Sequence, residues 1–137
     1  MKSILLSILL LAVFAAACNT NQQPQEQSAL VTAANETAAM ARLRAIVSAE
    51  RLYQVDSGGQ YATLDQLIQK RFVNDPSGGK LTGYRFEVQV RPGGFQLTAV
   101  PEKYGVTGKR SFYTDETDIV RAADKKGSAA SAGDPEV

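Results

Sequence analysis

Few side chains in this sequence can do chemistry, and nearly all of them are carboxylates. Among its 137 residues there is no histidine and a single cysteine, Cys18. Lacking imidazole, the chain is without the commonest general base, the commonest metal ligand and any Ser-His pair. Gly78-Gly79 and Gly93-Gly94 sit in turns with no helix opening after them, so neither forms a phosphate-binding loop. The acids fall in two places of interest. Asp115, Glu116 and Asp118 crowd one short turn, a spacing of hard oxygen ligands that could hold Ca²⁺. Aspartate is equally common in solvated hairpin turns, where its side chain bonds the local backbone; this second origin is the one expected here, with no metal and no cofactor. Glu50 is the other. No second acidic or basic group is placed to work with it, so it is expected to act structurally, and no enzyme activity is expected.

Glu50 belongs to the stretch that organises the rest, Ala38 to Asp56. Placed on a helix, Ala39, Met40, Leu43, Ile46, Val47 and Tyr53 share one apolar face, flanked by Arg42, Arg44 and Arg51. Glu50 projects about 20° from Leu43, in the middle of that face, at 100° per residue. An unpartnered carboxylate there is costly, so Glu50 is expected to be a polar clamp. Its donors would be N–H groups of the loop after Gly58, or the hydroxyl of Tyr84 or Tyr113. A second stripe, Ala34, Ala38, Ala41, Ala45 and Leu52, runs down the back of the helix. Small residues there would admit a close partner, but alanine is also the best helix former on an exposed face, and that is the simpler account.

Gly58-Gly59 ends the helix, since glycine tolerates the left-handed conformation just past a helix terminus. Thr63 with Gln66 makes a capping box, predicting a short helix from Leu64 to about Arg71, with Leu64, Leu67 and Ile68 buried. Residues 74–79 read as a loop. Tyr84 to Arg91 alternates apolar and polar residues as a half-buried strand does; Pro92-Gly93-Gly94 turns the chain, and Phe95, Leu97 and Ala99 line the return strand. Ser111–Tyr113 and Ile119-Val120 read as two further strands. The expectation is an α+β domain over residues 29–122, with one long helix and a satellite helix packed on a sheet of about four antiparallel strands. Residues 123–137, small and polar without periodicity, are expected to be disordered.

The start of the chain is an address. Lys2 precedes an apolar run from Ile4 to Ala17, whose fourteen residues fall short of the roughly 20 that a membrane-spanning helix needs. Such a basic start and short apolar core mark an export signal over residues 1–17. Ala15-Ala16-Ala17-Cys18 resembles the lipobox of bacterial lipoproteins, which implies that Cys18 is diacylated and becomes the first mature residue. Ala15 departs from the usual leucine. Asn19 resembles the residue that follows the cysteine in lipoproteins sorted to the outer membrane. The resemblance therefore implies a lipid-anchored envelope protein facing the periplasm. Residues 18–28, Gln-rich with Pro24, read as the lipidated cysteine and a flexible tether. All 14 acidic residues follow Cys18, and loss of Lys2 leaves 14 basic ones, so the remaining chain is formally neutral. No basic face for nucleic acid is expected.

Beyond the signal, LRAIVSAERLYQ at 43–54, GQYATLDQL at 59–67, GYRFEV at 83–88 and RSFYTDETDIVRA at 110–122 resemble the globular part of type IV pilin-like and type II secretion pseudopilin proteins. The resemblance implies a long helix on an antiparallel sheet and a non-catalytic role in an extracytoplasmic assembly. It departs at the N-terminus, where pilins carry a prepilin site, a glutamate and a long apolar helix that packs the filament core. A lipoprotein signal and a polar segment stand in that place, so the chain is not read as a filament subunit. The expected function is a scaffolding or interaction module with a protein partner in the envelope. The alternatives are an accessory subunit of a secretion or pilus-like system, and a calcium- or ligand-binding lipoprotein.

Overall fold

The computed structural model describes residues 23–74 and 83–137. Helix α1 covers Gln23–Asp56 and α2 Leu64–Gln69; strands β1 Tyr84–Arg91, β2 Gly94–Pro101, β3 Arg110–Asp115 and β4 Arg121–Asp124 form one antiparallel sheet in the order β1-β2-β3-β4. The fold is α+β, with the helices against one face of the sheet.

Helix α1 buries Ala39, Leu43, Ile46, Val47 and Tyr53, with Met40 packed at the edge of that core. Its buried positions recur every three or four residues, from Thr32 through Glu36, Ala39, Leu43, Ile46 and Glu50 to Tyr53. At the C-terminal end, Ser57 N–H donates to Tyr53 O at 2.8 Å and Gly59 N–H to Gln54 O at 2.7 Å. The second bond is made possible by the positive φ of Gly58 (74°), and Gly59 (102°) then leads the chain away from the helix. The N-terminal end corrects the expected tether. Residues 23–28 are the first turns of α1, because proline costs little where its missing N–H would have no partner, and the surrounding Gln, Glu and Ala favour helix.

The capping box forms: Thr63 Oγ1 accepts from Gln66 N–H at 3.3 Å and Gln66 Oε1 accepts from Thr63 N–H at 2.9 Å. Helix α2 stops at Gln69, short of the expected Arg71, which has φ +63° and breaks the helical path. Leu67 is fully buried, and the Phe72 ring meets Tyr53 edge-on, with centroids 5.6 Å apart. The loop expected over 74–79 lies, from residue 75 on, outside the described residues.

In the sheet, Tyr84, Phe86 and Val88 of β1, Phe95, Leu97 and Ala99 of β2, Phe112 of β3 and Ala122 of β4 supply the buried layer under the helices. Tyr84 is wholly buried, and its hydroxyl donates to Arg110 O at 2.7 Å. Gly108 is required beside it: a Cβ there would sit 2.0 Å from the Tyr84 oxygen. The last strand lies later than expected. Asp118 turns the chain at φ +64°, Ile119 is exposed, and the pairing strand begins at Arg121.

The C-terminal residues also correct the expectation of disorder. Ser111 Oγ donates to Ser128 O at 2.6 Å, and Ala130 is buried. The chain then returns along the outer edge of β4, where Ala122 N–H donates to Pro135 O at 2.9 Å and Val137 N–H to Val120 O at 3.0 Å. Arg121 reaches both the Asp134 carbonyl (3.0 Å) and the Glu136 carboxylate (2.9 Å). Small polar composition reads locally as disorder. Here the ordering groups are main-chain atoms and distant partners, which local pattern does not register. Deleting residues 135–137 is expected to destabilise the domain by about 1–2 kcal/mol in a urea melt, the worth of one or two such bonds.

Candidate functional site

Two carboxylates on the buried side of α1 define the polar chemistry of the domain. They lie fourteen residues apart, about four helical turns, and so face the same way.

Glu50 has no exposed surface. Its Oε2 accepts from Ala62 N–H at 3.1 Å, and Ala62 lies in the loop between Gly58 and Thr63. Its Oε1 is buried with no hydrogen-bond partner among the described residues. Burial pushes the carboxyl up to about 7, against the smaller downward pull of the Ala62 N–H. Tyr84 gives its hydroxyl to Arg110 O, and the Tyr113 hydroxyl donates to Asp115 at 3.1 Å, so neither tyrosine serves Glu50. The same loop is held again from α1, where Gln54 Nε2 donates to the Tyr61 hydroxyl at 2.9 Å. A carboxyl that titrates near neutrality has the right acidity for proton transfer, but one sealed from solvent has no access to a substrate.

Glu36 is the second. Its Oε1 accepts from Lys109 N–H (3.0 Å) and Arg110 N–H (3.1 Å), and its Oε2 accepts from Arg110 Nε at 2.8 Å. Burial alone would raise its pKa, but the backbone bonds and the guanidinium outweigh burial and hold it below the ordinary carboxylate value. Thr32 and Asn35 continue the seam, donating to Val106 O at 3.3 Å and Thr107 O at 2.9 Å. Glu36 therefore fastens the upper half of α1 to the approach into β3. The apolar face read from the sequence begins at Ala39 and leaves it out. Extending the same spacing back two turns from Leu43 would have reached it.

The turn acids do not converge. Asp115 accepts from Thr117 N–H at 3.0 Å, from the Thr117 hydroxyl and from Tyr113. Burial raises its pKa, while the Thr117 and Tyr113 bonds and nearby Arg121 hold it below the usual range. Glu116 accepts from Phe95 N–H at 3.3 Å. Asp118 pairs with Arg51 of α1 at 3.2 Å, an exposed contact. Among the described residues no group of three or more potential ligands could hold a metal ion. Ala34, Ala38, Ala41 and Ala45 lie exposed along the back of α1 with Leu52. Cys18 and the apolar run before it lie outside the described residues, and no described helix is long and apolar enough to cross a membrane.

No family model, curated protein or solved structure matches this chain. Its class is thus defined by its own geometry: a helix-on-sheet α+β domain whose buried acids fasten one element to the next.

Proposed function

We propose that this is a lipid-anchored cell-envelope protein whose α+β head is a non-catalytic interaction or scaffolding module. The observation that carries the address is the sequence Ala15-Ala16-Ala17-Cys18 closing a short apolar run. The state of the acids supports a non-catalytic head. Glu50 is sealed beneath its loop, Glu36 is committed to Lys109 and Arg110, and the turn acids each engage a different partner. Acylation of Cys18 would place α1 against the membrane, since only four residues separate the cysteine from Gln23. Stable attachment takes more than one acyl chain, which lipoprotein processing provides. Cys18→Ala is expected to abolish incorporation of labelled fatty acid and release the protein from the membrane fraction. Unchanged labelling and partition would refute the anchor.

A second reading, an accessory subunit of a type II secretion or pilus-like system, draws on the layout of one long helix against a four-stranded meander. That layout is what the pilin-like resemblance implies. Crosslinking in intact cells that captures a secretion component would favour it over a free-standing scaffold.

A further inference from the structure

The two edges of the sheet are treated differently. The β4 edge is covered by the chain's own C-terminus, through the Ala122–Pro135 and Val120–Val137 bonds. Along β1, which is eight residues long, no described residue pairs with the outer side. An edge of that length without a partner among the described residues is a template for another strand.

Three features of β1 say what fits it. Arg91 and Gly94 close a two-residue turn, so residues 85, 87, 89 and 91 direct their backbone groups at β2. Phe86, Val88 and Val90 therefore direct theirs outward. On the solvent face, Arg85 is followed by Glu87, Gln89 and Arg91, which run acid, amide, base. That order is self-complementary: an antiparallel copy turned about Gln89 sets Glu87 opposite Arg91 twice and Gln89 opposite itself. A turn about Val88 would instead oppose Arg85 to Arg91, one about Glu87 would oppose Glu87 to itself, and one about Val90 would form no opposite-charge pair. A turn about Phe86 would pair Glu87 with Arg85 but set Val90 beyond the other copy's β1, so charge and Val90 together select the register. On the inner face, burial alternates along β1 until Val90, which stands 44% exposed while Val88 is 7% exposed. In the Gln89 register each Val90 lies opposite the other copy's Val88, and the break in alternation is repaired.

We propose that β1 pairs antiparallel with β1 of a second copy of this chain, about a two-fold axis at Gln89, to form a continuous eight-stranded sheet. The contact is isologous, so it closes as a dimer and does not propagate. It is independent of whether Cys18 is acylated.

Sedimentation equilibrium of the full-length protein in density-matched detergent tests it, with charge variants on exposed side chains that leave the fold alone. The wild type is expected to sediment as a dimer. Glu87→Arg should weaken association about tenfold, from two new like-charge pairs across the axis. The double variant Glu87→Arg, Arg91→Glu should restore it. Gln89→Cys should form a disulfide-linked dimer on oxidation, while Arg85→Cys and the wild type, which controls for Cys18, should not. A monomer at all concentrations, a dimer indifferent to Glu87→Arg, or failure of the swap to rescue would overturn the proposal. A dimer crosslinked instead through cysteines on the back of α1 would overturn it equally.

Discussion

Glu50→Gln is expected to melt at a higher temperature than the wild type at pH 8 and somewhat below it near pH 5. The reason is the position of one proton. In the fold, burial raises the Glu50 carboxyl to about 7 from an ordinary value of 4.5. The folded chain therefore holds a proton that the unfolded chain gives up across that interval. Below about pH 4.5 both states are protonated and the site costs nothing extra. As pH rises through 7 the fold must carry a buried carboxylate with one donor, and the stability lost approaches about 3 kcal/mol at 1.36 kcal/mol per unit. A neutral amide removes that loss and can still accept from the Ala62 N–H. Its two new N–H donors need partners, so the gain at pH 8 should be smaller, about 1–2 kcal/mol, or several degrees in melting temperature for a domain this size. The wild type should grow more stable on acidification from pH 8 to pH 5, and Glu50→Gln should lose that slope. Glu50→Ala should fall below the wild type at pH 5 by about 1–3 kcal/mol, because it leaves the Ala62 N–H buried without an acceptor. Equal slopes in the wild type and Glu50→Gln would mean that the side chain reaches solvent.

How much of this could be read in the sequence depends on range. The periodicity of residues 38–56, the Thr63–Gln66 box and the alternation of Tyr84–Arg91 are local signals, and each marks the element it predicts. Glu50 was legible for the same reason, since a charged residue in the middle of an apolar stripe is a local contradiction that demands a partner. The Ala62 donor follows from the chain direction imposed by Gly58-Gly59. Long-range dependence hid the rest. Residues 125–137 carry no pattern, yet they are ordered by Ser111, Val120 and Ala122 of distant segments. The fourth strand sits at Arg121–Asp124 because it must pair with Arg110–Tyr113, whereas Ile119-Val120 offered the stronger apolar signal. Glu36 lies among alanines and polar residues in a helical segment without a strong stripe. Its partners are more than seventy residues away, so composition alone gave no reason to bury it.

Glu36→Ala is expected to destabilise the protein by about 2–3 kcal/mol at pH 7, with the loss concentrated at the N-terminal half of α1. Three donors lose their acceptor at once: the backbone N–H groups of Lys109 and Arg110 and the Arg110 guanidinium. Arg110 is partly exposed and can turn to water, so its share is small. The two backbone groups, on Lys109 and on the first residue of β3, are fixed by the main chain and cannot turn away as a side chain can, so they carry most of the loss. Charge-assisted bonds to such donors are worth about 1.5–3 kcal/mol each before neighbouring groups and water compensate. The pH signature is opposite to that of Glu50. The Glu36 carboxyl lies below its ordinary value in the fold, so its contribution is complete above about pH 4.5 and is lost as pH falls through the lowered folded value. Glu36→Gln keeps an acceptor without the charge. It should recover part of the loss at pH 7 and converge on the wild type in acid. Amide exchange gives the spatial test: in Glu36→Ala, residues 29–40 should lose protection while residues 43–53, held by the core and by Glu50, keep theirs. Uniform loss along α1 would mean that Glu36 fastens the whole domain and not one half of a helix.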